Sequence, residues 1–173
     1  MADRLRAAVR DVPDFPRPGV LFKDITPVLA DSMLFAAAID ALADTAADVT
    51  PDIVVGIESR GFIIGAPVAL RLGLGFVPIR KPGKLPFTAM REAYALEYGE
   101  DFLEAHVDAI ASSHRVLIVD DVLATGGTAE AAARLIERLG GAVAGFAFLL
   151  ELGFLNGRQR LTGRSVRSLL VYD

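Results

Sequence analysis

The residues best suited to chemistry lie in one run, Asp120-Asp121 followed by Val122-Leu123-Ala124-Thr125-Gly126-Gly127-Thr128. Adjacent glycines let the backbone turn so that successive N–H groups point inward, and a helix behind them offers unpaired donors and its positive dipole end. A phosphate fits such a cradle. Thr125 and Thr128 add hydroxyl donors, and Thr128 has an alternative use as the helix N-cap. Two consecutive carboxylates at a buried strand end are costly unless they meet cations or hydroxyl donors. The neighbouring hydroxyls of a ribose supply such donors. The run lacks both the Gly-Lys-Ser/Thr ending and the G-x-G-x-x-G spacing of the commoner nucleotide loops. Acid pair and cradle together point to a phosphorylated ribose, against the plainer alternative of acids that cap or ion-pair beside an ordinary glycine turn.

These residues need elements to position them. Four short apolar runs, Ile53 to Ile57, Phe76 to Ile79, Val116 to Val119 and Val143 to Leu150, have the length and valine/isoleucine content of strands buried on both faces. Between them, Leu34, Ala38, Leu42 and Ala46 share one helical face, as do Ala131, Leu135 and Leu139. The alternation predicts an α/β fold with a mostly parallel central sheet flanked by helices. The run Val116 to Val119, the loop and the helical pattern Ala129 to Leu139 then place the cradle at the carboxyl end of a strand, where open α/β sheets bind ligands. Residues 82–99 interrupt the pattern with polar and aromatic sequence too long for an ordinary connection, and are expected to form a lid or hood loop. No repeat or Gly/Ser/Pro-rich linker divides the chain, so residues 1–173 are expected to form a single domain. The tail after Leu155 carries the weakest pattern.

Composition narrows the function classes. The chain has no cysteine and only His106 and His114, which leaves no thiolate or multi-histidine metal cage. A net charge of −4 disfavours a broad polyanion-binding surface, so no nucleic-acid partner is expected. No apolar run reaches the roughly 18 residues that span a bilayer, and the charged start from Met1 to Arg10 is unlike a secretory leader. No membrane partner and a cytoplasmic location are the expectations. Local cation clusters, including Arg80-Lys81-Pro82-Gly83-Lys84, remain compatible with small anionic ligands or with simple solvation.

With these residues in place, the sequence resembles the type I phosphoribosyltransferases, and within them the adenine-specific group. The resemblance rests on Val116 to Thr128, and also on Phe15 to Ile25, Glu58-Ser59-Arg60-Gly61-Phe62, Arg80 to Pro86 and Leu96-Glu97-Tyr98-Gly99. It covers roughly residues 10 to 150, in order. It implies transfer of the 5-phosphoribosyl group of 5-phosphoribosyl-1-pyrophosphate (PRPP) to adenine, giving AMP and pyrophosphate in purine salvage, with Mg2+ carried by PRPP rather than by a protein cage, and a homodimer.

Carried onto matching positions, the resemblance implies that Ala124, Thr125, Gly126, Gly127 and Thr128 hold the 5′-phosphate while Asp120 and Asp121 face the ribose hydroxyls. Ser59, Arg60, Arg80 and Lys84 are implied at pyrophosphate, and Leu21, Phe22 and Lys23 beside adenine. Lys23 stands where the family also carries arginine, which suits a backbone role. Glu97 is implied as general base or electrostatic stabiliser, with Tyr98 on the same lid. From the residues alone, Arg60 and Glu58 also suit ordinary charges near a helix start, Phe22 suits a core aromatic, and Glu97 suits a solvated loop charge. Two other functions share the phosphate loop: transfer to another purine such as xanthine or guanine, and a PRPP-binding regulator. The regulator would leave the Glu97 segment idle and would need a nucleic-acid-binding element that the chain does not display.

Overall fold

The computed structural model describes residues 1–95 and 100–173. In chain order the elements are α1 (Ala2–Ala8), β1 (Arg10–Pro13), β2 (Leu21–Asp24), α2 (Thr26–Ala30), α3 (Ser32–Thr45), β3 (Ile53–Ile57), α4 (Arg60–Leu72), β4 (Gly75–Ile79) and β5 (Ala89–Ala95). They continue with β6 (Glu100–His106), β7 (Arg115–Leu123), α5 (Gly127–Arg138), β8 (Ala142–Leu152), two short 3-10 turns at Gly153–Leu155 and Gly157–Leu161, and β9 (Val166–Tyr172). Among the described residues no helix is long and apolar enough to cross a membrane.

A five-stranded sheet ordered β4-β3-β7-β8-β9 forms the centre, and each neighbouring pair in it is parallel. Strand periodicity explains why these runs are apolar throughout. Val55, Ile57, Val116, Ile118, Phe146 and Phe148 project to the face covered by α5 and by Tyr94, Leu103 and Ala105. Val54, Leu117, Val119, Ala147 and Leu149 project to the other face, covered by α1 to α4. A strand buried on both sides cannot alternate with polar residues. Helix α3 is started by Asp31, whose carboxylate accepts from the Met33 and Leu34 N–H groups at 2.9 and 3.0 Å.

Of the expected lid at 82–99, residues 82–95 are described and belong to a larger unit. Ala89–Ala95 and Glu100–His106 pair as an antiparallel hairpin, joined to the end of β4 by a two-way backbone exchange between Arg80 and Glu104. The hairpin does not stand alone. Glu92 accepts from Arg134 at 2.7 Å and Arg138 at 2.6 Å, which clamps β5 to α5. The C-terminal tail also folds, with β9 extending the central sheet beside β8.

Ile118 is fully buried in the middle strand of the sheet. Ile118→Ala is expected to cost about 2–5 kcal/mol of stability through lost transfer energy and a residual cavity; a urea midpoint unchanged from the parent chain would contradict this packing.

Candidate active site

The sheet order changes direction between β3 and β7, because the chain moves from β3 outward to β4 and then returns to the other side of β3. Ligands of open α/β sheets bind at the carboxyl ends of strands flanking such a switch. Strand β7 is longer than the apolar run predicts: it pairs with β3 only as far as Gly56 opposite Val119, but follows β8 to Leu123 opposite Glu151. Asp120 and Asp121 therefore lie within the strand, in the part that has left β3 behind. The loop shortens to residues 124–126. The long partner β8 supplies the ladder bonds that keep Asp120 to Leu123 extended.

The β3–α4 connection fills the space beside them. Ser59 precedes the first residue of α4, Arg60, and the next residue, Gly61, lies against β7. A Cβ at Gly61 would fall 2.8 Å from Asp120 Oδ1 and 3.0 Å from the Val119 carbonyl oxygen, so only glycine permits this approach. Arg60 Nε donates to Asp121 Oδ2, and Asp121 is 5% exposed. Asp120 Oδ1 accepts from the Asp121 N–H at 2.9 Å. Burial, together with the neighbouring Asp121 charge, pushes the Asp120 carboxyl well above the usual carboxylate range.

Ser59, Arg60, Asp120, Asp121 and residues 124–128 line one cleft of about 280 Å³. Helix α5 starts at Gly127, with Gly126 in the left-handed region at φ 82° as its cap. Thr128 consequently sits in the first helical turn. The N-cap alternative for Thr128 is corrected, because a glycine with no side chain occupies that position and leaves the first-turn donors open to the cleft.

Arg80 and Lys84 approach this cleft through Glu58. The Glu58 carboxylate accepts from Lys84 Nζ, from the Lys81 N–H at 3.0 Å and from Arg80 Nε at 3.3 Å. Burial opposes its ionisation, but the hydrogen bonds from Lys84 and Lys81 outweigh burial and hold Glu58 below its ordinary pKa. Glu58 is thus an ion-pairing centre rather than a helix-terminal charge. Lys81 and Tyr94 also line the cleft, with Lys81 Nζ donating to the Tyr94 hydroxyl and to Asp101. Sequence marked Lys81 only as part of a charge run, and gave no signal for Tyr94 or Asp101.

Leu21, Phe22 and Lys23 line a second, smaller cavity of about 150 Å³ that shares Arg60, Asp121 and Ala124 with the surroundings of the first. Phe22 is not core: its ring is partly exposed, edge-on to Phe15 at 5.2 Å and 5.7 Å from the Arg60 guanidinium. The Lys23 ammonium is held by Asp11 Oδ1 at 2.6 Å and lies 4.3 Å from the centre of the Tyr172 ring. Leu152, which sequence did not mark, also lines this cavity. Glu97 and Tyr98 lie outside the described residues.

A raised Asp120 pKa means that folding disfavours the ionised form. The penalty is absent below the ordinary value of 3.8, where folded and unfolded chains are both protonated, and grows as the pH rises towards the folded pKa. Without ligand, Asp120→Asn is expected to melt above the parent chain at pH 7, with the gap closing as the pH falls towards 4. A parent chain more stable than the variant at pH 7 would contradict the assignment.

A family profile described as a phosphoribosyl transferase domain matches residues 28–161. The adenine phosphoribosyltransferase of Myxococcus xanthus is 59% identical over 168 residues, spanning 97% of this chain and 91% of that one. The crystal structure of adenine phosphoribosyltransferase from Thermoanaerobacter pseudethanolicus superposes with a TM-score of 0.97 at 49% identity, covering 99% of this chain and 100% of that one. The Saccharomyces cerevisiae adenine phosphoribosyltransferase, complexed with adenine and an imino-altritol bisphosphate, superposes with a TM-score of 0.92 at 43% identity, covering 98% of each chain. Switch-point cleft, acid pair, glycine cradle and full-length similarity agree: the chain belongs to the phosphoribosyltransferases, among the adenine phosphoribosyltransferases.

Proposed function

We propose that this chain transfers the 5-phosphoribosyl group of PRPP to adenine, giving AMP and pyrophosphate. The observation that carries this is the pairing of two cavities across Arg60 and Asp121. One offers a phosphate cradle and an acid pair, and the other an aromatic and aliphatic slot suited to a flat base. Residues 124–128 hold the 5′-phosphate through backbone donors and the Thr125 and Thr128 hydroxyls. Asp120 and Asp121 accept from the ribose hydroxyls, which supply the donors that a partly buried acid pair needs. Phe22 stacks on adenine, while backbone groups of Leu21 to Lys23 read the base edge.

Departure of pyrophosphate leaves positive charge on the anomeric carbon, as in other glycosyl transfers. Ser59 and Arg60 receive the departing group at the start of α4, and Arg80 and Lys84 add charge once they exchange Glu58 for the ligand. Glu97 accepts the proton of the attacking base, or offsets the sugar's charge, in a site from which water is excluded. Mg2+ would enter with PRPP, and the carboxyls of Asp120 and Asp121, as hard oxygen donors, would suit its neighbourhood without forming, among the described residues, a dedicated cage. When bound, the ion neutralises pyrophosphate charge. The single domain of residues 1–173 works as a homodimer in the cytoplasm, a reading supported by the family resemblance alone.

Steady-state pyrophosphate release with PRPP, Mg2+ and a panel of adenine, hypoxanthine, guanine and xanthine tests the assignment. Adenine should give the highest kcat/KM, and preference for guanine or xanthine would overturn the choice of base. Glu97→Ala is expected to lower kcat by about 10²–10⁴-fold, the usual worth of a general acid or base, with PRPP affinity little changed. Equal losses in both, or none, would remove Glu97 from the chemistry.

A further inference from the structure

The segment with the weakest sequence pattern touches the phosphate loop directly. Gly157 is buried at the start of the second 3-10 turn, directly behind Ala124 to Gly126. A Cβ on Gly157 would fall 2.8 Å from the Gly126 nitrogen and still nearer to the Ala124 carbonyl oxygen. In the reverse direction, a Cβ on Gly126 would meet the Gly157 carbonyl, with its carbon 3.1 Å away. The two glycines are back to back. Gly126 is the left-handed residue that caps α5, so any displacement of it re-aims the donors of the cradle.

The turn that carries Gly157 is fastened from three sides. Arg158 donates to both oxygens of buried Glu151, at 3.0 and 2.6 Å, and to the Val166 carbonyl at 2.9 Å. Ser168 completes the Glu151 pair at 2.7 Å. Glu151 lies opposite Leu123, the last residue of β7 before the loop. Leu161 is buried in the same core as Ala129 and Leu135 of α5. Arg160 reaches Glu130, in the first turn of α5, at 3.3 Å. A rigid backstop thus joins the end of β7 to the start of α5, the two elements that hold the loop between them.

We propose that the turn from Asn156 to Leu161 is the back wall of the phosphate cradle, and that Gly157 is a positioning residue for the 5′-phosphate. Gly157 acts through Ala124 and Gly126 and need not touch the ligand. The proposal rests on the assignment of residues 124–128 to the 5′-phosphate. It predicts a selective defect: a side chain at Gly157 moves the loop, including Ala124 where it borders the base slot, but leaves Ser59 and Arg60 at the start of α4 in place.

Isothermal titration with two separate probes reads this selectivity, because ribose 5-phosphate carries the 5′-phosphate whereas inorganic pyrophosphate is assigned to Ser59 and Arg60. Gly157→Ala should weaken ribose 5-phosphate by about tenfold or more, the equivalent of one hydrogen bond to a charged group, with pyrophosphate affinity within about twofold of the parent. Arg158→Ala, which loosens the turn without adding bulk, should give a smaller loss of the same kind, and Arg158→Lys should recover part of it. These two variants carry the same comparison if Gly157→Ala does not fold. Equal loss of both probes, or no loss of ribose 5-phosphate, would overturn the proposal. Thr125→Ala/Thr128→Ala separates its failure from that of the underlying assignment: loss of ribose 5-phosphate affinity in that variant but not in Gly157→Ala would overturn the proposal alone, and no loss in either would overturn both.

Discussion

Strand β7 continues past the end of β3 at the carboxyl edge of the sheet, and the rest of the site is arranged around that mismatch. With β8 alone as a ladder partner, the last residues of β7 present Asp120 and Asp121 along an edge that no strand covers. Helix α4 enters the vacated space because Gly61 has no side chain to strike Asp120. The two loops that meet there come from opposite sides of the point where sheet order reverses, so one cleft receives both a strand end bearing acids and a helix start bearing Arg60. A side chain at Gly61 would strike Asp120 and the Val119 carbonyl and force α4 and β7 apart.

Charge in this cleft is neutralised internally. Arg60 is held by Asp121, Lys84 and Arg80 by Glu58, and Lys81 by Asp101. A buried or half-buried charge is stable only with a partner. An anionic ligand therefore enters by exchange, taking cations from carboxylates that already hold them. Two of those carboxylates, Glu58 and Asp121, themselves line the cleft, so an anion entering it alters the balance of charge on both. Burial and the adjacent Asp121 charge both push the Asp120 carboxyl upward, so the ligand-free acid pair resists full ionisation.

The C-terminal chain gives the cleft its stiffness. The phosphate loop is short because β7 is long, and a short loop ending in a left-handed glycine needs a fixed support behind it. The Arg158 to Glu151 pair and the burial of Leu161 tie that support to β8 and α5 rather than to solvent. Tail and loop are far apart in sequence, and their contact uses backbone atoms and glycines, which leave no side-chain pattern to read.

Sequence by itself determined the parts whose physics is local. Strands buried on both faces must be apolar throughout, so Ile53 to Ile57 and Val116 to Val119 were legible, and the order of acids, hydroxyls and glycines at Asp120 to Thr128 is a chemical signature within one loop. Tertiary structure alone decided what depends on partners. Ala89–Ala95 is rich in helix-forming residues yet is a strand, because β6 pairs with it and α5 clamps it. Val166–Tyr172 mixes polar and apolar residues and becomes a strand by adding to β8 at the sheet edge. Likewise, no spacing in the chain could join Lys84 to Glu58 or set Gly157 against Gly126: these contacts exist only once the sheet brings its strand ends together.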